Sequence, residues 1–136
     1  MSATAFTHDL TRDCGHVRPE HSGCRPSGFS RWHRDRLPAH CYAADVDLVE
    51  VRASRGIVAF LELSEVDGLP TVARARGVLA CKRVQTWVLG ELRRLTGLPC
   101  WVVVHDAALS TFVVLDLDGN AEIMSELEFR DFLRLL

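Results

Sequence analysis

Three acids lie inside stretches that read as β-strands: Asp45 and Asp47 within the run from Tyr42 to Arg52, and Glu62 within the run from Ile57 to Ser64. Both runs are rich in Val, Leu and Ile, and Ala53-Ser54-Arg55-Gly56 between them supplies turn residues. A carboxylate inside a strand is poorly solvated and costly unless it is partnered. Pairing about a loop of two residues (Ser54-Arg55) or four (Ala53 to Gly56) gives one register. It sets Asp47 opposite Glu62 and Asp45 opposite Ser64, on one face because strand side chains alternate with period two. Like charges directly across a hairpin repel, so the arrangement points to a cation held between them.

Further along stands Lys82, the only lysine among sixteen basic residues. Where charge alone was needed the chain uses Arg. An ammonium is instead compact and changes its protonation readily when desolvated. Gln85 follows it by three residues, on the same side of a helix. A solvent-facing lysine is the plainer reading of the same residue.

Asp-x-Asp on one strand followed by two apolar residues and Glu on the next resembles the metal-binding hairpin of the PD-(D/E)xK nuclease superfamily. The preceding run GFSRWHRDRLPAHCYAADVDLVEV resembles the segment leading into that hairpin in small phage-type and prokaryotic members, and the likeness spans about residues 28–105. The resemblance implies a metal-dependent DNA nuclease. Asp47 and Glu62 would hold Mg²⁺ or Mn²⁺, with Asp45 as a third carboxylate or outer support. The family's lysine position is occupied here by Ser64. In this superfamily the basic residue sometimes moves to the helix after the Glu strand, where a Gln can also face the site; Lys82 and Gln85 match that pattern.

The elements that must position these groups follow from pattern and punctuation. The chain of 136 residues carries a net charge of −2, with no apolar run long enough for a membrane and no apolar leader at its start. A cytoplasmic location is therefore expected. Residues 1–40 hold six Arg against four acids (+2), and 41–136 hold ten bases against fourteen acids (−4). Nucleic-acid contact should thus lean on the front of the chain, where Arg31, Arg34 and Arg36 lie on an expected helix from Ser27 to Leu37, with Phe29, Trp32 and Leu37 inward. Five cysteines without regular spacing suit free thiols or metal ligands better than a disulfide framework. Residues 1–28 read as an irregular arm. Its Cys14, His16, His21 and Cys24 could make a tetrahedral zinc site, but the spacing fits no standard finger and a polar arm is the simpler reading.

After the hairpin, a long helix is expected from about Thr71 to Thr96, with Val78, Cys81, Val84, Val88, Leu92 and Leu95 as its core stripe and Gly97 as its stop. Cys100 to His105 and Thr111 to Leu117 read as strands. The first enters by a short loop as a parallel crossover would. His105 and Asp106 are weak metal candidates, and Asp116 to Asn120 reads as a turn around Gly119 rather than a calcium loop. Ala121 to Leu136 is expected as an amphipathic helix that closes one side of the sheet or joins a partner as a homodimer.

The expected fold for residues 29–136 is α/β, a mixed β-sheet sandwiched by helices with a restriction-endonuclease-like core. The expected function is phosphodiester hydrolysis in DNA. The alternative is a catalytically degenerate nuclease-fold protein that binds nucleic acid or a protein partner. No Gly-rich phosphate loop and no Ser or Cys nucleophile with an evident His partner points elsewhere.

Overall fold

The structure, a computed structural model, describes residues 32, 35–38 and 44–136. The chain divides at Ala43/Ala44 into two compact units. Within the first, Trp32, Asp35 and Arg36 have helical backbone before Pro38, in keeping with the expected helix. Trp32 and Leu37, expected to pack inward, are exposed. Arg31 and Arg34, and the Cys14, His16, His21 and Cys24 cluster, lie outside the described residues.

The second unit is a five-stranded mixed sheet flanked by helices. Its strands are β1 (Leu48–Arg52), β2 (Gly56–Val66), β3 (Cys100–Asp106), β4 (Thr111–Asp116) and β5 (Ala121–Ser125); its helices are α1 (Val72–Cys81), α2 (Arg83–Thr96) and α3 (Glu126–Arg134). The strands lie in chain order, and all pairs are antiparallel except β2–β3, which the α1–α2 crossover makes parallel. Alternation along the strands divides the core in two. Phe60, Val102, Val104, Val113 and Leu115 pack with Ala75 and Leu89 of the α1–α2 layer. Leu61, Val103, Phe112, Val114 and Met124 pack with Phe129, Phe132 and Leu133 of α3. Glu62 follows Phe60 by two and therefore belongs to the α1–α2 side.

The hairpin register agrees with the expectation by a route that the sequence reading missed. Residues 53–55 form a three-residue loop, neither two nor four, with Gly56 at φ +78°. Arg52 then pairs with Gly56 and Val51 with Ile57, and a bulge passes over Val58 so that Glu50 meets Ala59 and Leu48 meets Leu61. The bulge restores what the odd loop displaces. The next step along that register is Asp47 against Glu62.

Three elements differ from expectation. The first strand starts at Leu48, not Tyr42, because Asp47 bends away and gives its carboxylate to the β2 backbone. The single long helix is two, broken at Lys82, whose φ of −83° and ψ of 58° leave the helical region. This break rotates the inward face of α2 onto Gln85 and Leu89, and leaves Leu95 exposed. The terminal helix begins only at Glu126. Residues 121–125 pair with β4 as β5, and Ser125 with Glu128 forms a capping box that fixes the helix start. Of the two roles expected for that helix, α3 takes the closing of the sheet: Phe129 stacks on Phe112, and Phe132 meets the edge of Trp101.

Hydrogen bonds within the chain account for the carboxylates of the other turns. Asp106 accepts from the Ser110 and Thr111 backbone N–H groups, and Asp116 accepts from Asp118 N, Asn120 N and Asn120 Nδ2. Both carboxyls are held below their usual range by hydrogen bonds, foremost from the Ser110 hydroxyl for Asp106 and from the Asn120 side-chain amide for Asp116. Both carboxylates clamp their turns, and residues 116–120 form the turn expected around Gly119. Cys81 is disulfide-bonded, against the expectation of free thiols; Cys100 is free and buried.

Candidate metal centre

β2 is eleven residues long and β1 only five, so β2 runs on past the end of its partner. The groups of interest gather at that step. The Leu63 N–H, left without a β1 partner, donates to Asp47 Oδ2 at 2.8 Å. Lys82 Nζ donates to the Leu63 carbonyl at 3.0 Å and to Glu62 Oε1 at 2.6 Å. The backbone of one residue is thus held at both its N–H and its carbonyl, by the acid on one element and the lysine on another.

Lys82 reaches the strand because it occupies the joint between α1 and α2. Its own N–H donates to Val78 O at 2.9 Å and closes α1. Its carbonyl accepts from Thr86 N at 2.9 Å and Thr86 Oγ1 at 2.6 Å, which opens α2. No Gly or Pro breaks the helix there. The joint falls on the residue whose side chain is committed to Glu62 and Leu63.

Glu62 is the charged residue most removed from solvent among the described residues, at 3% exposure. Its Oε1 has Lys82, but Oε2 is buried and makes no hydrogen bond. Burial raises the carboxyl from an ordinary value near 4.5 to about 7; the Lys82 ammonium opposes that rise, and the Asp47 carboxylate nearby adds to it. Two acids held close, one with an orphaned oxygen, form an incomplete oxygen site of the kind hard divalent cations take. The Leu63 carbonyl beside them adds a third kind of oxygen.

Of the residues expected at a site, the structure brings together Asp47, Glu62 and Lys82. Asp45 is exposed, precedes β1 and is not among the groups that perturb Glu62. Gln85 is the other buried polar residue of the described chain, on the inward face of α2, but its amide does not enter the bonds that join Lys82 to Glu62 and Leu63. Ser64 is half-buried on β2 and supplies no charge. Among the described residues no group of three or more His, Cys, Asp or Glu side chains gathers around one point. The Leu63 backbone is the participant that sequence reasoning missed; it depends on β2 outrunning β1, whereas the residue pattern makes the first strand the longer. No family model matches the sequence, and comparison with curated proteins and with solved structures returns no match.

Proposed function

We propose that this chain is a metal-dependent phosphodiester hydrolase acting on DNA, a nuclease of the PD-(D/E)xK type with a restriction-endonuclease-like core and its lysine moved to the helix joint. One observation carries the reading: the only lysine of the chain crosses from the helix layer to place Nζ 2.6 Å from the buried Glu62, beside Asp47. A surface lysine would have no reason to do so.

Asp47 and Glu62 would hold Mg²⁺ or Mn²⁺ through carboxylate oxygens, with Glu62 Oε2 the atom that lacks any other partner. Such an ion, when bound, lowers the pKa of a water and offsets charge on the scissile phosphate. Lys82 donates from Nζ to a phosphate oxygen as negative charge builds there. The Leu63 peptide keeps Asp47 and Lys82 in place, since each spends one hydrogen bond on it. Two carboxylates and substrate oxygens together are a normal ligand supply for Mg²⁺. Arg31, Arg34 and Arg36 supply the phosphate contacts that a net charge of −2 does not.

DNA incubated with Mg²⁺ or Mn²⁺ should be cut, and Glu62→Ala should abolish the cutting. Ser64 at the family's lysine position favours a second reading, a nuclease-fold protein that binds metal and nucleic acid without cleavage. Metal binding with no cleavage of single- or double-stranded DNA would select it.

A further inference from the structure

The Lys82–Glu62 contact has a consequence for metal loading. The Glu62 oxygen that Lys82 engages belongs to the same carboxylate that would hold the divalent ion. An ammonium 2.6 Å from Glu62 Oε1 and a divalent cation on that carboxylate would be like charges in a site from which Glu62 is almost wholly withdrawn from water. Coulomb repulsion at such distances and in such surroundings is large.

We propose that Lys82 is a built-in counter-ion of Glu62: its ammonium, on Oε1, opposes a divalent ion on the same carboxylate and withdraws when the metal loads. This rests on the metal-site reading above and adds a regulatory role for the same lysine.

Three features make withdrawal feasible. The Lys82 side chain is 26% exposed, against 4% for Glu62, so the ammonium has a route toward solvent while the carboxylate has none. It holds a second acceptor, Leu63 O at 3.0 Å, and can release Glu62 without leaving the site. It also stands at a break between two helices, where its carbonyl and N–H are closed off by Thr86 and Val78, so movement of the side chain does not unpair the backbone. A phosphate oxygen arriving with substrate would give the ammonium a third partner. Lys82 thus guards Glu62 in the resting protein and serves the phosphate in the loaded one.

The test is metal affinity rather than turnover. Mg²⁺ alone is titrated calorimetrically into the full-length wild type, Lys82→Met and Glu62→Gln at one alkaline pH, since a proton on Glu62 competes with any cation there. Met keeps the length of the lysine stem and removes its charge. Thermal unfolding with and without Mg²⁺ reports the same affinity and shows that each variant is folded. The expected result is that Lys82→Met binds Mg²⁺ about tenfold or more tightly than wild type, because a buried like charge has been removed, and that Glu62→Gln loses binding. Glu62-dependent binding that is equal or weaker in Lys82→Met overturns the counter-ion role and leaves the metal site standing. Folded proteins with no Glu62-dependent binding overturn the metal site and, with it, this role.

Discussion

Replacing Glu62 by Gln should stabilise the protein in mildly alkaline solution. Burial holds the folded-state carboxyl near pH 7, against about 4.5 for an ordinary glutamate. Below pH 4.5 the group is neutral both folded and unfolded, and contributes nothing. As pH rises from there toward 7, the unfolded chain releases the proton and the folded chain retains it, so stability falls. Above 7 the penalty is complete, of order 3 kcal/mol from the difference between the two values. Gln copies the neutral acid and avoids the penalty. Lys82, a quarter exposed, can be hydrated once its partner is gone. Urea unfolding of wild type and Glu62→Gln without metal should therefore give near-equal stabilities at about pH 4.5, and an advantage for Gln growing to about 3 kcal/mol by pH 8. A variant less stable than wild type at pH 8, or a difference independent of pH, would refute the reasoning. It would mean that the Lys82 ion pair outweighs the desolvation of Glu62.

Lys82→Ala should lower metal-dependent DNA cleavage by roughly 10²-fold or more, the scale of losing one electrostatic stabiliser. Lys82→Arg should restore it only in part, since a guanidinium fork is not an ammonium; full activity in the Ala variant would remove Lys82 from the chemistry. Asp47→Ala leaves the Leu63 N–H without its acceptor and should cost about 1–2 kcal/mol in urea unfolding, besides weakening metal binding. Ser125→Ala breaks the α3 capping box and should cost about 1 kcal/mol without changing Mg²⁺ affinity, a control for general destabilisation. Metal analysis of protein purified under reducing conditions should find no stoichiometric zinc if Cys14, His16, His21 and Cys24 are a polar arm.

Much of the site was legible because it depends on period-two alternation and a register that the hydrophobic pattern restricts. Asp47 and Glu62 were placed together from strand pairing alone. The register matches the expected one despite the three-residue turn, because the bulge at Val58 compensates for it. Lys82 stood out by composition, but its route to Glu62 did not. Its helix break has no Gly or Pro to announce it, and the periodicity through Val78, Val84, Val88 and Leu92 reads as one continuous stripe. β5 was lost for a related reason: Ile123 fits the apolar spacing of the helix that follows, although the capping residues Ser125 and Glu128 mark where that helix starts. Asp45 stands apart from Glu62 because the strand begins only after Asp47, whose side chain leaves the ladder to bind the Leu63 N–H.

Asp47 and Glu62 are proposed as halves of one cation site guarded by Lys82. Crystals grown with Mn²⁺ and measured for its anomalous signal test it most directly. The expected result is a peak in contact with Glu62 and Asp47 oxygens, with Lys82 Nζ withdrawn from Glu62 Oε1. Full Mn²⁺ exposure with no peak there, and Lys82 still on Glu62, would contradict it.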